Sequence, residues 1–375
     1  ESPMCRFSAR SIALIVAIVA AFAAVPTPVL GNDDDAARQP ILLLSLDFAR
    51  DGSSLVTGGD SVRVYGMESG ELLMQAHPPK ITRTVAFSPT EKDLFAAAGD
   101  DGAIRLWHVD NAEPTRVLKG HSGMVLDLAF SPDNKLLASG GTQYVGGRRA
   151  LGELRLWDTE SGKLLHSLDF ADAGVQGVSF SRDGGRLAFC KNSAIDDVPS
   201  TVNVYNVENW ELVHSVPFSP GFAQTVLFTT DGSRLIVTGG YCVPLSPTSC
   251  RPTGKIWFAE LSTSEPAKLL ETSASDYFRS ASLTSEGEFF ATGTARHHYQ
   301  LDTLGKIVGQ SLVAEIQLRK TDTGKIVWSQ EGEIGDPYGV TISRDGEHVA
   351  CCSGSKVLIF DASSGRQERA ITVGE

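Results

Sequence analysis

This sequence predicts an all-β ring of repeated units, and three observations carry the prediction. A motif of two apolar residues flanking a small or polar one, followed by a turn, recurs seven times beyond residue 40. Each copy holds four short β-rich runs with turn residues between them. The 375-residue chain is 42% hydrophobic with 37 glycines, enough to bury a core and too rich in turns for a helical bundle. Repeats of this length and content mark a propeller-type array, so the expected architecture is a seven-bladed β-propeller of four-stranded antiparallel blades.

In chain order, the first segment stands apart. Arg6 and Arg10 precede the uncharged run "SIALIVAIVAAFAAV", two prolines follow, and then comes the polar "GNDDDAARQ". That layout is a secretory signal peptide over residues 1–31, with an N-terminal membrane anchor as the alternative, because the run is shorter than the roughly twenty residues a spanning helix needs. Residues 32–40 read as a flexible acidic linker and 41–375 as one propeller. The expected location is exported, periplasmic or extracellular.

The copies then follow one another. Copy one is "LDFARDGSSLVTGGDSVRVYGMESGELL", copy two "VAFSPTEKDLFAAAGDDGAIRLWHVDNAEPTRVL" and copy three "LAFSPDNKLLASGG…LRLWDTESGKLL". Copies four to seven open with "VSFSRDGGRL", "VLFTTDGSRL", "ASLTSEGEFF" and "VTISRDGEHV". Phe48, Phe87, Phe130, Phe180, Phe228, Leu283 and Ile342 hold one aligned position, with spacing that grows from about forty residues to nearly sixty. Just before it, Leu46/Phe48, Val85/Phe87 and Leu128/Phe130 alternate with small or polar residues, the period of a strand, here called strand a. The turn from strand a to strand b reads "RDG", "PDN", "TDG" or "SEG", whose residue types tolerate positive φ. The last copy includes its own outer run, "ERAITV", so the ring need not borrow an N-terminal strand to close.

The stretches "GH…LAFSPDNKLLASGG…LRLWD" and "FSP…AGDDGAIRLWHV" resemble WD40 repeats. The resemblance is strong in copies two and three, clear in one, four and seven, and degenerate in five and six. It implies a hydrogen-bonded chain of Asp, His, Ser/Thr and Trp that ties three strands of a blade together. Copy three supplies His121, Ser139 and Trp157 but lacks the Asp, since "TQYVGGRRALGE" fills its place; copy two supplies Asp101 and Trp107, with Ala97 where the hydroxyl belongs. No blade is expected to hold the full set. His121 is therefore read as structural, because no nucleophile or carboxylate pair accompanies it.

The formal net charge of -12 argues against nucleic acid and anionic membranes, since binding phosphates depends on Lys and Arg. No metal or cofactor is expected: among the inner strands only Asp47 and Asp127 are carboxylates, and His297 and His298 near Asp302 read as a solvated loop cluster. Cys242 and Cys250 flank one short loop and are a disulfide candidate in an oxidising compartment.

The added length of copies three to six falls mostly in the turn between strands b and c, as in "GGTQYVGGRRALGE" and "GTARHHYQLDTLGKIVGQSLVA". Such turns share a face with the connections that precede strand a, so they would form an arc of binding loops on a rigid scaffold. The candidate contact residues there are Arg83, Met124, Phe222, Tyr277, Phe278, Arg279 and Tyr338, with Tyr144, Tyr241 and Tyr299 of the long turns. The expected function is a non-catalytic platform for a protein or peptide partner. The alternatives are a hydrolase or lyase with its site under the loop arc, and a structural subunit of an envelope assembly.

Overall fold

In the computed structural model the sequence copies become successive antiparallel meanders. The described residues are 42–145, 149–193, 198–218, 221–246, 249–263, 267–273, 278–301, 307–332 and 338–373. The proposed signal and linker, 1–40, lie outside them. Copy one forms β1 (Leu43–Phe48), β2 (Ser54–Gly59), β3 (Val62–Gly66) and β4 (Leu72–Ala76). Copy two forms β5 (Thr82–Phe87), β6 (Leu94–Gly99), β7 (Ala103–His108) and β8 (Arg116–Lys119). Copy three gives β9 (Met124–Phe130), β10 (Leu136–Val145), β11 (Arg149–Asp158) and β12 (Leu164–Ala171). Copy four gives β13 (Ala173–Phe180), β14 (Arg186–Ser193), β15 (Ser200–Asn206) and β16 (Leu212–Phe218). Copy five is β17 (Phe222–Phe228), β18 (Arg234–Ser246), β19 (Ser249–Glu260) and β20 (Lys268–Ser273). Copy six is β21 (Phe278–Leu283), β22 (Phe289–Leu301), β23 (Ile307–Lys320) and β24 (Ile326–Gly332). Copy seven closes the series with β25 (Val340–Ile342), β26 (His348–Ser353), β27 (Lys356–Asp361) and β28 (Gln367–Thr372).

Five of these sets are separate four-stranded sheets, while copies three and four share one eight-stranded sheet. The link is a single parallel bridge, Leu151↔Ala173. It arises because Asp172 alone, at φ 55°, connects β12 to β13, so no loop holds the two sets apart. The last sheet is completed by its own β28, which pairs with β27 from Lys356↔Thr372 to Phe360↔Gln367.

The inner strands stand side by side around a central cavity of about 570 Å³. Apart from the single bridge at Ala173, each of them has a ladder partner on one side only, so N–H groups on its other side need another acceptor. The small polar residues of strand a supply it. Ser45 Oγ accepts from Val85 N–H (3.2 Å) and Asp47 Oδ2 from Phe87 N–H (2.8 Å). Asp127 Oδ2 accepts from Val178 N–H (2.8 Å), and Ser280 and Ser282 accept from Val340 and Ile342 N–H (both 3.2 Å). In every case the cap reaches from one copy to the next. At the seam, Thr341 Oγ1 donates to Asp47 Oδ1 (3.1 Å), and Leu43, Leu46, Phe48 and Tyr65 pack with Ala350, Cys352, Ile359 and Ile371. The ring is closed by packing and side-chain hydrogen bonds, with the first and last sheets each complete.

The apolar face of each strand a packs between neighbouring sheets, as where Val85, Phe87 and Phe95 meet Val56, Val62 and Val64. One turn departs from its counterparts. Between strands c and d, Gly70, Gly162, Gly324 and Gly365 take φ of 70–74°, and Trp210 takes φ 59° at the same place in copy four. A side chain in that region is strained. Trp210 is held there by stacking on His166 (centroids 4.5 Å apart) and by Tyr205 (5.6 Å).

Candidate functional site

The long turns between strands b and c are mostly ladder. In copy three β10 and β11 stay paired from Leu136↔Asp158 out to Val145↔Arg149. In copy five the pairing runs from Arg234↔Glu260 to Ser246↔Ser249, and in copy six from Phe289↔Lys320 to Leu301↔Ile307. By contrast, β6–β7 in copy two ends at Ala98↔Ile104. The expected loops are thus projecting hairpins, because the inserted residues continue two antiparallel strands and satisfy each other's backbone groups. The tip of copy four, 194–197, lies outside the described residues.

At the base of β10–β11 sits the His121 network, and it is complete. Trp157 Nε1–H donates to Ser139 Oγ (2.9 Å), and Ser139 Oγ lies 2.7 Å from His121 Nε2. The other ring nitrogen, Nδ1, is 3.2 Å from Glu153 Oε2. The missing acid is therefore a glutamate on β11, which corrects the expectation that no blade holds a full set. The longer side chain reaches back from the extended ladder to the connection before β9, where it also accepts from Ser122 N–H (3.0 Å) and Gly123 N–H (3.2 Å). Gly141 makes this approach possible, since a Cβ there would stand 2.8 Å from His121 Nδ1.

Burial pushes the His121 pKa down, outweighing the pull of Glu153, so the imidazole is neutral and donates from Nδ1. Burial also opposes ionisation of Glu153, but its hydrogen bonds from His121, Ser122 and Gly123 win and hold the carboxyl at about 2. Arg155 adds a second anchor through Glu153 (3.0 Å), Asp169 (2.7 Å) and the Gly120 carbonyl (3.1 Å). Together these bonds fix the root of the hairpin to the channel rim.

Copy two has no such chain. Asp101 instead pairs with Arg105 (2.6 Å) and accepts from Ala103 N–H, and the Trp107 indole N–H is buried without a partner beside Ala97. Thr57 and Thr292 carry buried hydroxyls without partners at the place of Ser139 in copies one and six. Copy six solves its aromatic slot differently. Arg319, 1% exposed, donates through Nε to Gln317 (2.9 Å), Gln317 donates to Glu315 (2.6 Å), and Ser329 donates to the same carboxylate (2.6 Å).

The candidate contact residues divide. Arg83, Tyr144 and Tyr338 line the central cavity, which the copy-three hairpin reaches through Tyr144. The Arg83 guanidinium is engaged by both oxygens of Asp100. Met124 and Phe222 are half-buried at the starts of β9 and β17, paired with Thr142 and Gly240. Phe278 is 1% exposed and packs against Gly254 with Arg319 6.0 Å from its ring, so it belongs to the core and is withdrawn as a contact residue. Tyr277 and the side chains of Arg279, Tyr241 and Tyr299 lie outside the described residues, as do Asp302 and the side chains of His297 and His298.

The candidate disulfide also falls outside the described side chains; the backbone register sets Cys242 opposite Pro252 and Cys250 opposite Pro244. Cys190, Cys351 and Cys352 are buried free thiols. On the channel wall, burial pushes Asp47 and Asp127 up to about 6 against the pull of their backbone hydrogen bonds.

A ring of four-stranded antiparallel sheets around a channel, its first and last copies packed together, defines the molecule as a β-propeller. Residues 70–108 and 112–158 match the sequence profile of the WD40 family, described as WD domain, G-beta repeat. These two stretches, which run from the end of copy one through copy three, are WD40 repeats. It is 30% identical over 115 residues to eukaryotic translation initiation factor 3 subunit I of Scheffersomyces stipitis, which covers 31% of this chain and 30% of that protein. It is 34% identical over 113 residues to small ribosomal subunit protein RACK1 of Caenorhabditis elegans, covering 30% and 32%. The serine-threonine kinase receptor-associated protein of Gallus gallus is 30% identical over 120 residues, 32% of each chain. The matched part thus spans about a third of each curated relative. Among solved structures, the β-propeller domain of Myceliophteria thermophila Cps50 (Swd1) superimposes with a TM-score of 0.59 at 12% identity, over 87% of this chain and 98% of that one, a likeness of fold.

Proposed function

We propose that the protein is an exported, non-catalytic platform that takes a protein or peptide partner on the hairpin-bearing face of a seven-bladed propeller. The count of seven rests on treating the shared eight-stranded sheet as two blades, since β9–β12 and β13–β16 each keep their own meander and meet at one bridge. Export rests on the charged, apolar and small-residue layout of residues 1–31. The observation that carries the binding reading is that copies three, five and six all extend the same b–c turn into a long hairpin, the first of which brings Tyr144 to the channel lining beside Tyr338. The root of one hairpin is fixed by buried hydrogen bonds, which favours a preformed surface with little ordering cost. The names of the matched relatives describe a subunit of an initiation factor, a ribosomal subunit protein and a receptor-associated protein, roles within larger protein assemblies that agree with a platform.

The test replaces residues 143–151 and 295–313 by short turns and compares partner capture from the exported fraction with that of the intact chain. Capture should be lost while thermal unfolding and circular dichroism keep their native form. Undiminished capture by the trimmed protein would overturn the assignment of the face.

A further inference from the structure

Two hairpins outrun the sheets they belong to by five pairs or more, while that of copy three does so by three pairs only, Gln143↔Leu151 to Val145↔Arg149. In copy five, pairing with β17 ends at Gly240 and with β20 at Gly254, while β18–β19 continues from Tyr241↔Thr253 to Ser246↔Ser249. In copy six, pairing with β21 ends at Thr294 and with β24 at Ala314, while β22–β23 continues to Leu301↔Ile307. Among the described residues, no third strand flanks either ribbon beyond those points. Each ribbon thus carries backbone edges of the kind that recruit another strand unless proline or charge blunts them.

The four projecting edges are not alike. The copy-five ribbon contains Pro244, Arg251 and Pro252, and the β22 side of the copy-six ribbon contains Arg296, His297 and His298. The β23 side reads "IVGQSLV" over 307–313, with neither charge nor proline and with three β-branched residues. Of the four edges of these two ribbons it is the one that lacks both kinds of protection.

We propose that Ile307–Val313 pairs with the same segment of a second copy, antiparallel, about a two-fold axis at Gln310. An axis through one residue pair fixes all the others. Gln310 faces Gln310, Gly309 faces Ser311, Val308 faces Leu312 and Ile307 faces Val313 of the second copy. Apolar residues meet apolar ones and polar or small residues meet their like, which is the cross-strand matching that stabilises antiparallel pairs. The stretch carries no charge, so the formal -12 of each chain brings no like-charge pair into the contact. Seven residues extend about 23 Å, and a sheet depth of about 10 Å gives roughly 230 Å² on each copy. That is well below the roughly 1,200 Å² of total buried surface that stable complexes start from, so the dimer is weak and concentration-dependent.

The pairing needs no outside partner, so it is tested with the purified full chain alone and stands or falls independently of the platform reading. Sedimentation equilibrium from about 5 to about 500 µM should show a monomer–dimer equilibrium. The double variant Val308→Lys with Leu312→Lys sets ammonium groups against each other across the axis and should weaken association by about tenfold or more. Val308→Lys with Leu312→Glu sets opposite charges in the same two places and should restore it. Thermal unfolding monitors that each variant keeps the fold. A chain that stays monomeric throughout, species larger than the dimer, or association equally strong in the doubly lysine-substituted variant would overturn the proposal, as would failure of the charge-matched variant to recover.

Discussion

Replacing Glu153 with Gln exchanges one carboxylate oxygen for an amide nitrogen and leaves the volume of the His121 network unchanged. The carboxyl sits at about 2 in the fold against an ordinary 4.5. That difference bounds the loss at about 3 kcal/mol at neutral pH. The replacing amide can still accept from one of Ser122 and Gly123, so about 2 kcal/mol is the expected destabilisation. For a domain of this size that corresponds to a fall of about 3 °C in melting temperature. The pH dependence has a definite sign. Because the folded pKa is depressed, the stabilisation is full above 4.5 and is lost as pH falls toward about 2, where the folded carboxyl also takes up its proton. His121 acts in the same direction, since the unfolded imidazole binds a proton near its ordinary 6.5 that the buried one resists. Guanidinium unfolding of both proteins at pH 7, 5 and 3, followed by tryptophan fluorescence, measures the gap. It should be widest at pH 7 and narrow at pH 3. A gap that is absent at neutral pH, or that does not change with acid, would refute the assignment of Glu153 as the ionised member of the network.

Two further substitutions probe the ring at other copies. Ala97→Ser places a hydroxyl beside the unpartnered Trp107 indole and should stabilise by about 0.5–1 kcal/mol, read as a raised denaturation midpoint; an unchanged or lowered midpoint would mean the indole gains no bond there. Trp210→Gly relieves a left-handed backbone that costs roughly 1–2 kcal/mol but removes a half-buried indole whose packing is worth more, so a net loss of about 1–2 kcal/mol is expected in thermal melts, and a more stable variant would show that strain outweighs the stack on His166.

The repeat, the strand periodicity and the self-contained last sheet were legible because they rest on spacing and on alternation of residue type. The reason for the small polar residues in strand a was not, since their acceptors serve N–H groups about forty or fifty residues further along the chain. Glu153 was missed as the acid of the network because it is a Glu and stands on the strand rather than in a tight turn. Its place four residues before Trp157, close to where the ladder re-enters its sheet, was the available signal. In copy six, Glu315, Gln317 and Arg319 share one strand face, and that spacing of two was readable, though only the fold shows that the three bond to one another. The long turns were legible in length but not in form, because nothing in "YVGGRRALGE" distinguishes a loop from a ladder until the strands are paired.

Because β28 completes its own sheet and the first sheet owns all four of its strands, among the described residues no sheet waits for a distant part of the chain to supply a missing edge. As it is synthesised, the chain can finish each sheet in the order it appears, with the inner strands of copies two, four and seven receiving caps from the one before. Only the seam at Asp47 and Thr341 joins the two ends of the described chain, so the topology permits vectorial assembly whose last step is a docking event rather than a strand exchange.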